Sequence, residues 1–180
     1  RQITSNGRGV ATPADLKGLR MRVPQIPILF DGFTGLGADA VAMNFGEVYS
    51  GLQAGLISGQ ENPLPTIEGF SIQEVQEYIS LTGHVLAPEY IYVNSAWWDN
   101  LPDDLRTLMD GLLVEGQQVA ADATNSAEDK ILASIRAAGG TEIIEVDVEA
   151  FYLAAGPILD RIGPQHLGEE TYRVIVDLAN

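Results

Sequence analysis

An arginine near the end of a short predicted strand is the residue of this sequence best suited to bind an anion. Arg22 lies in the segment 19–23 (LRMRV), where apolar and cationic residues alternate until Pro24. Such alternation predicts a strand with Arg20 and Arg22 on one face. A planar guanidinium on a rigid strand matches a carboxylate through two parallel hydrogen bonds. Arg22 is therefore a candidate carboxylate ligand, and the alternative is an ion pair with a carboxylate of the protein itself.

Two further side chains could complete such a site. Asn62 lies in the polar segment 60–63 (QENP), and its amide can both donate and accept hydrogen bonds. Phe45 follows Asn44 in a predicted strand-to-helix turn, where a ring can cover the apolar body of a ligand. Ligands of open α/β sheets bind at such loop ends. The alternatives are that Asn62 caps a turn and that Phe45 belongs to the core.

The charge distribution favours a small anionic ligand. The chain carries 10 Lys and Arg against 25 Asp and Glu, a net charge of −15, yet five of the cations lie in the first 22 residues. Nucleic acids and anionic membrane surfaces require clustered cations, so neither is an expected partner. No apolar run approaches the roughly 18 residues of a membrane span, and no direct membrane insertion is expected. The basic segment suits an organic anion, and the alternative is a solvated basic edge.

Catalytic and metal-binding patterns are lacking in the sequence. There is no cysteine, and neither His84 nor His166 lies in a His-x-x-His or His-Glu-x-x-His context. The pair Gly35 and Gly37 lacks the third glycine of a dinucleotide loop and is better interpreted as a helix end. No serine nucleophile motif or phosphate loop occurs. The protein is therefore expected not to be an enzyme, and no cofactor or metal is expected.

Alternating periods of two and 3.6 residues place these side chains in an α/β fold of one domain. Strands are predicted over residues 2–6, 19–23, 38–43, 75–82, 85–94 and 141–146, and residues 60–63 are predicted to be a polar passage from strand to loop. Helices are predicted over residues 13–17, 26–36, 46–57, 65–70, 103–138, 148–162 and 169–178, with a short helix after Ser95 as its N-cap. The helix 103–138 would be about 50 Å long at 1.5 Å per residue, longer than one small lobe is wide.

A set of ordered motifs closely resembles the solute-binding proteins of tripartite ATP-independent periplasmic (TRAP) transporters. The matching segments are residues 15–24 (DLKGLRMRVP), 36–38 (LGA), 45–49 (FGEVY), 52–55 (LQAG), 59–63 (GQENP), 74–76 (EVQ), 81–84 (LTGH), 93–94 (VN) and 101–102 (LP). The resemblance covers nearly the whole chain but only the later part of the family pattern. Family members commonly have an acidic residue where this chain has Ser58.

The resemblance implies a fold and a binding site. The fold would be a type II periplasmic-binding-protein-like lobe with a mixed sheet, a long spanning helix and C-terminal helices, and the first lobe would be largely missing. Residues 1–180 would form the second lobe with hinge strands and C-terminal helices, and residues 95–180 would include helices that pack on the first lobe. Arg22 would bind the ligand carboxylate, Asn62 would contact the ligand, and Phe45 would pack on it. Arg1 falls where many members have a second ligand-facing arginine.

The resemblance also implies a function. The protein would be a periplasmic receptor that binds an organic acid and delivers it to the membrane permease subunits of the transporter. The alternative is a truncated, self-associating fragment or assembly module without a competent ligand site. Self-association is expected because the helices after residue 148 carry apolar faces without an obvious partner inside a single lobe, notably at Phe151, Ile158, Leu159, Ile162, Tyr172, Val174, Ile175 and Leu178.

Overall fold

Six short strands form one mixed sheet in the computed structural model of the chain, which describes residues 1–86 and 90–179. The strands are β1 (Gln2–Ser5), β2 (Arg20–Val23), β3 (Asp39–Ala42), β4 (Gly59–Asn62), β5 (Tyr78–Ser80) and β6 (Glu142–Ile144). Their order in the sheet is β3-β2-β4-β1-β5-β6. β1 runs antiparallel to β4 and β5, whereas the other pairs are parallel. The predicted α/β class with a mixed sheet is confirmed.

Helices connect and flank these strands. The α-helices of the described residues are α1 (Pro27–Gly35), α2 (Val48–Gln53), α3 (Leu64–Gly69), α4 (Ser95–Asp99), α5 (Asp103–Ala138), α6 (Val148–Leu167) and α7 (Glu169–Ala179). Short 3₁₀ helices occupy Pro13–Leu16, Phe45–Glu47 and Ile72–Val75. The long helix α5 has the predicted bounds: Pro102 precedes it, and Gly139 ends it with a φ of 70°, which a residue with a Cβ rarely adopts.

The predicted strand over residues 85–94 is wrong for residues 85–86 and 90–94, which are in no strand, and residues 87–89 lie outside the described part. The prediction relied on β-branched and aromatic residues alone. In the structure Tyr90, Ile91 and Tyr92 are exposed, and no strand of the described residues pairs with them. A strand propensity without a pairing partner cannot satisfy the backbone hydrogen bonds.

Two local predictions about helix ends also need correction. Asn94 rather than Ser95 caps α4, because the Asn94 side chain accepts a hydrogen bond from the Trp97 backbone nitrogen. The helix predicted over residues 46–57 begins as a 3₁₀ turn and ends at Gln53. Leu56 lies beyond this helix end and is exposed.

The two faces of the sheet bury two separate hydrophobic clusters. Alternation along the strands sends Ile3, Met21 and Val23 to one face, where they pack with Leu16 and Phe33. The other face is covered by buried residues from the strand and helices around it, namely Val48, Leu52, Ile57, Leu64, Ile67, Ile72, Ile79, Ile131 and Ile135. Arg22 and Thr4 lie on this second face, because each is next in sequence to a residue that lies on the first face.

The C-terminal helices are partly covered within this chain. α6 packs along α1, where Ile158 meets Gly35, and α7 folds back so that Tyr172 lies against Gly163. The expectation that these helices lack a partner is therefore wrong for Ile162, which is buried. Other apolar side chains remain exposed, on α6 and α7 at Leu159, Val174, Ile175 and Leu178 and on α5 at Leu105, Leu108, Leu112 and Val119.

Residues 1–86 and 90–179 contain neither a membrane-spanning helix nor a cluster of metal-ligating side chains. None of the helices there combines the length and apolar character that crossing a bilayer requires. The same residues contain no group of three or more metal-ligating side chains.

Candidate functional site

All four predicted site residues lie at one edge of the sheet. The carboxyl ends of the parallel strands β2, β3 and β4 meet there with the amino end of the antiparallel strand β1. Arg22 is near the end of β2, Phe45 follows β3, Asn62 ends β4, and Arg1 precedes β1. The strand register makes this convergence necessary, since Gln2 pairs with Asn62 and Arg22 pairs with Gln60.

Arg22 is a buried guanidinium with unused donors. The side chain is only 4% exposed, and its Nε donates to the Met43 carbonyl at 2.9 Å. Neither terminal nitrogen hydrogen-bonds to a described residue, and Arg22 forms no ion pair within residues 1–86 and 90–179. The alternative of an internal carboxylate partner therefore does not hold for the described residues. The Nε bond fixes one edge of the guanidinium and leaves the Nη1–Nη2 pair as a two-pronged donor.

Burial and neighbouring charge act on Arg22 together. Removal from water lowers the pKa of the Arg22 guanidinium, the Glu61 carboxylate opposes that change, and the nearby Arg1 adds to it. Arginine nevertheless stays protonated in proteins at neutral pH. The site thus holds a partly desolvated positive charge. Such a charge attracts an anion more strongly than the same charge does at the protein surface, where water weakens the interaction.

Phe45 forms one wall beside Arg22. The guanidinium carbon of Arg22 lies 5.9 Å from the centre of the Phe45 ring, within cation–π range. Phe45 also meets the exposed Phe70 edge to face, with 4.7 Å between ring centres. The ring is half-buried and packs against the hydrophobic cluster of the second face. The alternative that Phe45 belongs to the core is therefore correct for part of the ring, and the rest of the ring borders Arg22.

Arg1 is paired inside the protein. Its Nε donates to Glu61 Oε2 at 2.5 Å, and its Nη2 donates to Glu61 Oε1 at 2.9 Å and to Asn62 Oδ1 at 3.0 Å. Glu61 points to the opposite face of β4 from Gln60 and Asn62, and its side chain is fully buried. Arg1 thus joins the ligand-facing candidate Asn62 to a buried carboxylate.

Asn62 is held at both ends of its amide. Its Oδ1 accepts from Arg1, and its Nδ2 donates to Gln60 Oε1 at 2.5 Å. The side chain is 5% exposed and belongs to strand β4, so the turn-capping alternative does not apply. One N–H of the amide makes no hydrogen bond to a described residue and stays available to a ligand.

Sequence reasoning missed the pairing of Glu61 with His84. His84 Nε2 lies 3.2 Å from Glu61 Oε2, and its Nδ1 lies 2.6 Å from Thr82 Oγ1. The ring also meets Phe33 edge to face at 5.3 Å. The sequence offered only a weak signal, because the two residues are 23 positions apart and their contact requires the loop after β5 to return to β4.

Opposing influences set the ionisation of Glu61. Burial alone would raise the pKa of this carboxyl, but hydrogen bonds from His84 and Arg1 and the charges of both hold it below its ordinary value of 4.5. Glu61 is therefore ionised in the folded protein at neutral pH. A carboxylate with a depressed pKa stabilises the fold fully above the unfolded value and progressively less as the pH falls through the folded value.

Glu61→Gln is expected to reduce the loss of stability in acid. As the pH falls from neutral to below 4.5, the free energy of unfolding should decrease more steeply for the parent than for the variant. The two slopes should differ by up to about 1.4 kcal/mol per pH unit, which is the value for one proton. Urea unfolding at a series of pH values measures the slopes. Glu68→Gln is the control, since Glu68 is exposed and its side chain makes no hydrogen bond within residues 1–86 and 90–179. Equal slopes for parent and Glu61→Gln would contradict the assignment.

Comparison with known proteins shows what this chain is similar to. Residues 1–165 match the sequence model described as "Bacterial extracellular solute-binding protein, family 7". The 2,3-diketo-L-gulonate-binding periplasmic protein of Escherichia coli K12 is 32% identical over 87% of this chain and 48% of that protein. The C4-dicarboxylate-binding periplasmic protein of Rhodobacter capsulatus is 30% identical over 97% of this chain and 53% of that protein.

A solved structure has the same fold. The TRAP periplasmic solute-binding protein of Roseobacter denitrificans with bound L-galactonate is 32% identical, has a TM-score of 0.73, and is matched over 99% of this chain and 58% of that chain. The relatives are solute-binding receptors rather than enzymes, as expected from the sequence. This chain spans about half the length of the relatives it matches.

Proposed function

Because the chain belongs to the bacterial extracellular solute-binding proteins of family 7, we propose that it supplies the carboxylate-binding part of a TRAP receptor for an organic acid. Arg22 binds the carboxylate, Asn62 and Arg1 contact the polar groups beside it, and Phe45 covers its apolar part. The observation that carries this proposal is the state of Arg22. Its guanidinium is buried and fixed through Nε, while neither terminal nitrogen bonds to a described residue.

The geometry of Arg22 suits this task. A guanidinium that is already oriented loses little conformational freedom when a carboxylate binds, and its two terminal nitrogens can form charge-assisted hydrogen bonds in parallel. Most of its water has been removed by folding, so its electrostatic attraction to an anion is strengthened. The Phe45 ring beside it restricts the approach of the ligand to the edge of the sheet.

The class of ligand follows from the relatives. Their names state binding of 2,3-diketo-L-gulonate, of C4-dicarboxylates and of L-galactonate, all of which carry a carboxylate. We extend only this shared group to the present chain. The Asn62 amide, with one N–H available, and the Arg1 guanidinium favour an acid with a hydroxyl, keto or second carboxylate group near the first.

The remaining steps rest on the family. The receptor acts in the periplasm, captures the acid between this lobe and a second one, and delivers it to the permease subunits of the transporter. Specificity comes from charge pairing, amide hydrogen bonds and closure around the ligand, with no covalent step.

A thermal-shift screen tests the proposal. A receptor of full family length that carries this sequence is heated with sugar acids, C4-dicarboxylates, keto acids and neutral sugars. At a ligand concentration of 100 times Kd, binding should add about 2.7 kcal/mol of stability, enough to raise Tm by several degrees. At least one acid should stabilise the protein, and the neutral sugars should not. Stabilisation by neutral sugars alone would contradict the proposal.

For the 180-residue chain studied alone, we also propose self-association through the exposed apolar stripe of α5, which comprises Leu105, Leu108, Leu112 and Val119. Such a stripe would be covered by another element in a longer protein or by a second copy in this chain. The net charge of −15 opposes association, so added salt should promote it.

Light scattering over a range of protein and salt concentrations measures this self-association. The mass should rise with both concentrations, and the double variant Leu108→Glu/Leu112→Glu should remain monomeric. A parent chain that is monomeric at every concentration would refute this part of the proposal.

A further inference from the structure

Five hydrogen bonds run in one direction beneath the proposed ligand site. Arg1 Nη2 donates to Asn62 Oδ1 at 3.0 Å, Asn62 Nδ2 donates to Gln60 Oε1 at 2.5 Å, and Gln60 Nε2 donates to Thr4 Oγ1 at 3.0 Å. Thr4 Oγ1 then donates to Gln76 Oε1 at 2.6 Å, and Gln76 Nε2 donates to the Val75 carbonyl at 3.0 Å. We name this chain of bonds the amide relay.

The strand register explains why these residues meet. Thr4 of β1 lies directly opposite Gln60 of β4 in the antiparallel pair, and Asn62 lies two positions further on the same face. Gln76 reaches Thr4 from the segment between the 3₁₀ helix Ile72–Val75 and β5. The side chains of Thr4, Gln60, Asn62 and Gln76 are all at most 5% exposed.

The two ends of the relay determine the orientation of every amide in it. A guanidinium can only donate, so the Asn62 atom that faces Arg1 must be the oxygen. A backbone carbonyl can only accept, so the Gln76 atom that faces Val75 must be the nitrogen. The Thr4 hydroxyl has a single proton, which goes to the Gln76 oxygen, and therefore it accepts from Gln60. Both ends thus require the same orientation of Asn62.

From this arrangement we infer that Thr4 and Gln76 are positioning residues for the ligand-binding amide of Asn62. The inference rests on the proposed function of Asn62. Neither residue touches the ligand: the relay fixes which atom of Asn62 accepts from Arg1 and which N–H remains for the ligand. With the relay broken at Thr4 or Gln76, only the Arg1 end still orients the Asn62 amide, so the orientation that leaves its N–H to the ligand is held less firmly.

A double-mutant cycle separates positioning from a purely structural role. Thr4→Val removes the hydroxyl without changing the shape of the side chain, and Thr4→Ser retains it. In calorimetry with L-galactonate and with succinate on the receptor of full family length, Thr4→Val should weaken binding of the tighter ligand about 5- to 20-fold, and Thr4→Ser about twofold at most. In an Asn62→Ala background, Thr4→Val should have no further effect on affinity. Equal losses in both backgrounds would overturn the inference.

A second variant and a matched control complete the test. Gln76→Met removes the same link from the other side and should reproduce Thr4→Val. Ser80→Ala is the control, because Ser80 is a fully buried hydroxyl on the neighbouring strand that accepts from the Val10 nitrogen and is outside the relay. The affinity of the Ser80→Ala receptor for the acid should remain within about twofold of that of the parent.

A readout without ligand distinguishes failure of the relay from failure of the proposed function. In NMR spectra, Thr4→Val and Gln76→Met should both move the side-chain amide resonances of Asn62, and Ser80→Ala should leave them in place. Unmoved resonances overturn the relay. If the resonances move but Asn62→Ala binds both acids as tightly as the parent, the relay holds and the proposed role of Asn62 in binding fails.

Discussion

Arg22→Lys is expected to weaken organic-acid binding by about 1.5–3 kcal/mol, roughly tenfold to a hundredfold, the value of a hydrogen bond to a charged group in a desolvated site. Lysine keeps the positive charge but replaces the two-pronged donor with a single ammonium group. It also loses the hydrogen bond from Nε to the Met43 carbonyl, which orients the side chain. Calorimetric titration of the parent and variant receptors with L-galactonate and succinate measures the loss.

Arg20→Lys is the matched control for this experiment. Arg20 lies on the same strand and the same face, two positions before Arg22, but it is exposed and begins β2 at the opposite end from the site. The same substitution there should leave affinity unchanged within about twofold, because exposed charges are well screened. If Arg22→Lys binds acids as tightly as the parent, Arg22 is not the carboxylate ligand.

Asn62→Asp is expected to cost several kcal/mol of binding free energy for acids, because like charges in contact across an interface repel strongly. The new carboxylate would stand beside the carboxylate of the ligand and would face the Gln60 oxygen without a proton between them. Phe45→Ala should cost less, about 1–2 kcal/mol, because it removes only apolar cover and the cation–π contact with Arg22. Calorimetry with the same acids gives both losses and their order.

The variant Asn44→Asp separates the effect of direct contact with the ligand from the effect of a negative charge added near the site. Asn44 is exposed at the same edge of the sheet, so its replacement adds the same charge near the site without reaching the relay. A loss for Asn44→Asp equal to that for Asn62→Asp would mean that charge alone acts, without direct contact at Asn62. A larger loss for Phe45→Ala than for Asn62→Asp would contradict the arrangement of the site.

Regular local patterns account for most of the fold that could be predicted. Period-two alternation identified β2 with both arginines on one face, and the 3.6-residue repeat between Pro102 and Gly139 identified α5 to the residue. The position of Arg22 could be predicted because parallel strands place their carboxyl ends at one edge, and a proline ends the strand there. The resemblance to the TRAP solute-binding proteins, borne out by the family match, supplied Arg1, which composition and spacing alone would have left among the solvated cations.

Features that depend on pairing between distant segments could not be predicted. The residues from Tyr90 to Asn94 have strand propensity, but no strand of the described residues lies beside them. Glu61 and His84 are separated by a helix and two short elements, so nothing local signals that they meet. The amide relay depends on the register of β1 against β4, and a shift of one residue would turn Thr4 to the other face.

The central claim is that this edge of the sheet recognises a carboxylate. The most direct test is calorimetric titration of the receptor of full family length with two acids and their neutral counterparts, L-galactonate beside galactitol and succinate beside succinamide. At least one acid should bind at least about a hundredfold more tightly than its neutral counterpart, as expected when a buried guanidinium loses its charged partner. A neutral compound that binds as tightly as its acid, or no binding of either acid, would contradict the claim.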